Sequence, residues 1–365
     1  MPVTTAQTAN PLEIATDPLL PQPGIERPLS PLERSRVESA TAELDSQARR
    51  ELKAGNEAGA IALWYRELRL QRALGPRQEI QALGKVGEIA WNYNRPVDVQ
   101  NITNRLEMLE QNTPIAPAQL QAFGQAYEQV KALEQAVSVY QQVLAAARDR
   151  SDEETKMAML EKLGQLHLDL FNYPQAAAVY EELLAKARSQ SDRFSEGQHL
   201  HQLAQIYSQA MQPQHALRIK EQLAESYLNG QVEQLPALKI SIASDYEALN
   251  QPEAAGRNYE EAFTLAWSLQ QVATAGDALQ KLGDLYRNNN QQDYALQIYQ
   301  ELLKVEQQTY DFYGLMNTYD RIGQIYVEQN NNAQAIAAYN KALQVARSLG
   351  YQEEYFSEKI EALQN

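Results

Sequence analysis

A small residue returns along this chain about every forty positions, and that period limits the fold more than any other feature. It stands at Ala48, Gly87, Gly124, Gly164, Ala204, Ala243, Gly283 and Gly323, at spacings of 39, 37, 40, 40, 39, 40 and 40 residues. The surroundings repeat with it. Leu163-Gly164-Gln165-Leu166-His167, Leu282-Gly283-Asp284-Leu285-Tyr286 and Ile322-Gly323-Gln324-Ile325-Tyr326 are near copies. Twelve residues after each anchor from Gly124 onward lie Ala136, Ala176, Ala216, Ala255, Ala295 and Ala335, and Ala60 keeps that offset from Ala48. Four residues further stand Tyr140, Tyr180, Tyr259, Tyr299 and Tyr339, with Trp64 in the first unit. At 365 residues the chain would otherwise suggest about two globular domains. A constant period instead describes units that bury their apolar faces by stacking on one another.

Within each unit, apolar residues recur at three- and four-residue spacing and never alternate for long, the pattern of amphipathic helices. Each unit therefore reads as two antiparallel helices, A and B. The small residues let the two backbones approach, and the tyrosine on B fills the gap to the next unit. Pro96, Pro213 and Pro252 fall nine residues after their anchors and Pro174 ten, at the first turn of helix B, where a missing N–H costs nothing. Asn172, Asn250, Asn288–Asn290 and Asn330–Asn332 supply turn residues. Ser151 with Glu154 reads as a capping box. Residues 1–36 differ. Seven of the 15 prolines lie in the first 31 positions, so this segment reads as a disordered arm, a tether on which Leu19, Leu20 and Ile25 offer places to dock. Residues 37–350 form the repeats, and an amphipathic helix over about 352–363, within residues 351–365, covers the last one.

The order small residue, tyrosine, alanine, aromatic resembles the tetratricopeptide repeat (TPR) family. In the fourth unit the family's positions fall on Gly164, His167, Ala176 and Tyr180. Two features depart from its common pattern. The units run to about 40 residues where the family's usual repeat has 34, and no proline closes helix B, so Arg148, Arg188 and Arg347 extend it. Both departures resemble the extended subclass found in kinesin light chains. The resemblance implies an all-α fold, a right-handed superhelical solenoid of about eight antiparallel helix pairs, and a non-enzymatic scaffold holding a partner protein in a concave groove. The cysteine-free, Gln- and Asn-rich array behind a proline-rich arm also resembles TPR assembly factors of oxygenic photosynthetic bacteria. Among those, a periplasmic, PratA-like group serves photosystem II assembly and manganese loading.

Composition narrows the partners. A net charge of −15 repels phosphate backbones, so nucleic acid is not expected, and a basic or polar extended segment or helix suits the chain better. The same charge also serves solubility alone. No apolar run reaches the roughly 20 residues a transmembrane helix needs. Met1 is followed by Pro-Val-Thr-Thr-Ala-Gln, with neither basic nor apolar leader regions. A cytoplasmic protein and a periplasmic one with its leader already removed both fit. Without cysteine there is no disulfide, thiolate metal site or cysteine nucleophile. No GxGxxG, HExxH or GxSxG occurs, and Gly84-Lys85 lacks the rest of a P-loop, so no enzyme and no cofactor is expected.

The groove is expected along two registers of helix A. One residue after the anchors lie Glu88, Gln125, Gln165, Gln205, Asp284 and Gln324, and three before them lie Glu161, His201, Gln280 and Asp320. Amides donate and accept, so such a ladder either satisfies a partner's backbone or is simply a solvated face. Trp91, four after Gly87, offers an aromatic anchor. The lysines and arginines with which chaperone-binding TPR members hold an acidic C-terminus are absent from these positions. Glu161 with His201 makes a weak divalent-cation site conceivable. His199 and His201, two apart on a helix, point in different directions. His167 replaces a repeat tyrosine and is expected to pack, whereas His215 is expected to be exposed.

Overall fold

The computed structural model describes residues 10–13, 16–21, 27–112, 117–228 and 230–364, with backbone alone at 117 and 118. Among them the chain is helix after helix, with no strand. The first eight helices are α1 (Pro31–Lys53), α2 (Glu57–Leu74), α3 (Pro76–Asn92), α4 (Pro96–Asn112), α5 (Pro117–Gln129), α6 (Leu133–Asp149), α7 (Glu153–Asp169) and α8 (Tyr173–Ser189). The next four are α9 (Arg193–Gln209), α10 (Pro213–Tyr227), α11 (Leu235–Ala248) and α12 (Pro252–Ser268). Then come α13 (Val272–Asn288), α14 (Gln292–Thr309), α15 (Phe312–Glu328), α16 (Asn332–Leu349) and α17 (Glu353–Gln364). Odd-numbered helices up to α15 carry the anchors and are the A helices; even-numbered ones are the B helices. This is the all-α, TPR-like stack of eight helix pairs that the period implies. Pro96, Pro213 and Pro252 open their B helices, and Pro174 sits one residue into α8.

The turns repeat as strictly as the helices. Each passage from A to B runs through one residue with positive φ: Gly55, Asn94, Lys131, Phe171, Met211, Asn250, Asn290 and Asn330. All eight lie seven residues after an anchor. The following N–H then reaches back into helix A, as when Ala132 donates to the Tyr127 carbonyl at 2.9 Å and Asn331 to that of Tyr326 at 2.8 Å. This closure satisfies the last carbonyls of one helix and starts the next within two residues. The same geometry corrects the capping box expected at Ser151. Ser151 takes the left-handed turn that ends α6 (φ 53°). The cap therefore moves on to Asp152, whose carboxylate accepts from the Thr155 N–H at 3.1 Å.

The chain divides into two units, residues 1–179 and 180–365, with the division inside α8. In the first, helices pack on their neighbours in sequence, and α3 also lies against α5. Gly84 permits that approach, since a Cβ there would stand 2.9 Å from the Ala126 Cα. Helix α1 starts at Pro31, six residues before the expected Val37. Ser30 and Glu33 make a reciprocal capping box, and Pro31 takes the first helical position. Of the arm, one 3-10 turn (Pro11–Glu13) is helical, and the described residues rest on α1 and α2. Leu12 is buried, and Leu19 and Leu20 pack on Val37, Leu44, Leu70 and Leu74. Ile25 lies outside the described residues. In the second unit the core is a run of overlapping clusters, centred on Tyr259, on Tyr299 and on Tyr339 with Phe356. Phe356 and Ile360 of α17 pack in one cluster with residues of the last pair.

Candidate functional site

The site begins with the contact that sets the helix A register. At Gly124, Gly283 and Gly323 an added Cβ would lie 2.4 Å from the Cε1 of Tyr140, Tyr299 and Tyr339, sixteen residues on. The tyrosine ring thus lies directly on the backbone of helix A, and its hydroxyl emerges at the edge of that helix. In the pairs of Tyr140, Tyr259 and Tyr299 it meets a carboxylate. Tyr140 donates to Glu128, Tyr259 to Glu247, and Tyr299 to Asp284 at 2.5 Å. Trp64 does the same in the first pair, its indole N–H donating to Asp45 at 3.0 Å. Burial, and then the facing carboxylate, push these tyrosine pKa values up, so the hydroxyls stay protonated donors.

With helix A fixed in this way, residues one after and three before the anchor stand one turn apart on a single face. In the first unit Glu88 (α3), Gln125 (α5), and Glu161 and Gln165 (α7) are all exposed, and Trp91 keeps 51% of its surface. Gln165 bonds along its own helix to Asp169 at 2.8 Å. In the second unit His201 and Gln205 are exposed and bond each other at 2.9 Å, with the Tyr227 hydroxyl 3.4 Å from the other ring nitrogen of His201. Gln280, Asp284, Asp320 and Gln324 are half-buried.

Several of these residues tie repeats together. Asp284 on α13 accepts from Tyr299 and sits 3.3 Å from Arg321 on α15. Gln324 accepts from Arg287 at 2.9 Å and donates to Asp320 at 2.7 Å. Asp320 also takes Lys359 (2.7 Å) and Tyr355 (3.1 Å) from α17. Lys359 lies in turn over the Tyr355 ring at 4.3 Å. In the first unit Lys162 reaches Glu128 at 3.0 Å. In each unit the face is therefore a mixed-charge one: Glu128 and Lys162 join the residues read from the registers in the first, Arg287 and Arg321 in the second. Glu128 and Arg287 share the offset of Trp91, four after the anchor, so the signal was present. His167 is buried, with Nδ1 unpartnered and its pKa lowered by burial, while His215 is exposed and stacks on Tyr207. Both match expectation. Among the described residues no three His, Asp or Glu side chains form a group that could hold a metal ion. None of the described helices is long and apolar enough to cross a membrane.

Two segments match models of known repeats: residues 119–154, spanning α5 and α6, and residues 317–349, spanning α15 and α16. Both models are of the tetratricopeptide repeat. Each matched segment holds an anchor glycine and the tyrosine that packs on it. No curated protein matches the chain. Solved structures similar in fold include the apo form of RapI, 13% identical, with a TM-score of 0.43 over 86% of this chain and 98% of that one. A putative kinesin light chain of TPR-like repeats from Podosopora anserina is 20% identical, covering 53% of this chain and 98% of its own, with a TM-score of 0.40. BtubC from P. vanneervenii is 19% identical, covering 60% and 92%, with a TM-score of 0.42. These likenesses concern the fold.

Proposed function

We propose that the chain is a non-enzymatic interaction scaffold whose helix A face receives a basic or polar segment of a partner protein. The observation that carries this reading is the exposed run of Glu88, Gln125, Glu161 and Gln165 at equivalent positions of successive A helices, with close anchor packing beneath it at Gly87 on Val130 and at Gly124 on Tyr140. Rigid helices present these groups with their rotation about the helix axis already fixed, so little ordering remains to be lost on binding. Amide and carboxylate groups in a row match the N–H groups of an extended strand or the cations of a basic helix. Trp91 adds an amphipathic ring that can bury against an apolar residue of the same segment. Tetratricopeptide repeats are in general protein-interaction modules, which agrees with this use of the face.

The test is a pull-down from source-cell extract with wild type and two helical variants. One carries Glu88→Lys, Gln125→Lys and Glu161→Lys; the other carries the same number of lysines at exposed positions of helix B. A partner lost only from the first supports the reading. Equal retention by both would move the site off this face. The narrower role, an assembly factor of the PratA-like kind serving photosystem II in the periplasm, is supported by the cysteine-free, Gln- and Asn-rich composition. Its manganese component is tested by calorimetric titration of wild type and His201→Ala. Heat that saturates in the first and vanishes in the second would support it.

A further inference from the structure

In a chain of net charge −15, helix α2 carries Arg66, Arg69 and Arg72 at three-residue steps. That spacing puts the three guanidinium groups near one another on one side of the helix, where like charges repel. All three turn toward the N-terminal arm. Arg69 donates to the Pro11 carbonyl at 2.8 Å and Arg72 to that of Leu12 at 3.2 Å. Arg66 clamps Asp17 with two bonds, at 2.8 and 3.3 Å. The Asp17 side chain keeps 5% of its surface and Leu12 keeps 1%. Leu19 and Leu20 complete the contact on the apolar cluster of α1 and α2.

This is how a peptide segment is bound: main-chain carbonyls held by arginine donors, one carboxylate in a bidentate clamp, leucines in an apolar bed. The arm does not use up the positive charge. Arg69 Nε is buried without a partner, and Glu13 comes only within 3.9 Å of Arg72, whose Nε goes instead to Glu79 at 3.1 Å. Burial lowers the pKa of Arg69, and the Arg66 clamp lowers that of Asp17. We propose that the arginine side of α2 is a second peptide-binding site, occupied in cis by the chain's own arm. Its partner is a segment able to take the same short turns, with a leucine followed about five residues later by a carboxylate. The site takes ligands opposite in charge to those of the helix A face and does not depend on that reading.

The absence of cysteine makes a clean test on the intact chain. Thr16 is exposed beside the seated residues, so Thr16→Cys carries a nitroxide without disturbing them. An immobilised spectrum is expected at rest. A free peptide with the sequence of residues 10–21 should release it, half-maximally at roughly millimolar concentration, because a short tether holds the arm at an effective concentration of that order. The same peptide carrying Leu12→Asp and Asp17→Asn should need at least tenfold more. Arg66→Ala with Arg69→Ala should free the nitroxide from the outset. A label that is mobile without peptide, that stays immobile at saturating peptide, or that both peptides release equally would each overturn the proposal.

Discussion

At Gly283 the backbone of α13 lies so close to Tyr299 that a methyl group would fall 2.4 Å from the ring. Gly283→Ala is expected to cost about 1–3 kcal/mol, the usual penalty for overpacking. Tyr299→Ala, which empties a fully buried site, should cost roughly 3–5 kcal/mol. The two should not add, because once the ring is gone the methyl has room. A double-mutant cycle on urea midpoints checks this, and additive costs would mean that the ring and the glycine are not the contact in question. Glu306 gives a pH effect at the same scale. Its Oε1 accepts from Thr318 at 2.9 Å, its Oε2 is buried without a partner, and burial raises its pKa to about 7 from 4.5. The folded state keeps the proton that the unfolded chain releases at 4.5, so this contribution is fully present below pH 4.5 and lost as pH rises through 7. The loss amounts to at most about 3 kcal/mol. Glu306→Gln should therefore match wild type at pH 4 and exceed it at pH 8.5. Equal midpoints at both pH values would rule the effect out.

Among the elements, what the sequence made legible and what it hid divide along a physical line. Helix pairs and proline starts were readable because each depends on residue type at a fixed offset. The left-handed turns were readable where asparagine marks them, at Asn250, Asn290 and Asn330, but not at Phe171 or Met211. There the side chains are exposed, and the backbone closure alone selects the conformation. Met211 has φ 53° and keeps 89% of its surface, so Met211→Gly should remove turn strain without losing packing. A gain of about 0.5–1 kcal/mol is expected; a loss would show that the side chain has a use the turn does not reveal. The candidate site divides in the same way. Its registers could be read from one repeat. Which members are tied up could not, because Arg287 with Gln324, Lys359 with Asp320 and Lys162 with Glu128 pair across 37, 39 and 34 residues, nearly a whole period.

At the scale of the molecule, the lesson lies in how local these contacts are. Within the second unit, α11 to α17 pack in sequence order, and the contacts that skip a helix, α11 with α13, α13 with α15 and α15 with α17, join neighbouring A helices or the last of them to the cap. Stability in such an array is a sum of neighbour terms, so the end can open without the middle. Helix α17 is the place to test this. Phe356 keeps 1% of its surface and packs in one cluster with Met316, Tyr339 and Leu343. Phe356→Ala should cost that cluster about 3 kcal/mol or more, which is roughly a hundredfold in local opening. Hydrogen exchange is then expected to accelerate by that factor through α15, α16 and α17 while α11 and α12 exchange as in wild type. The Lys359–Asp320 bond should loosen with it, since the cap that carries Lys359 is the part released. Uniform acceleration from α11 to α17 would instead mean that the unit opens as one cooperative body, and the forty-residue period would then describe how the unit is built without describing how it comes apart.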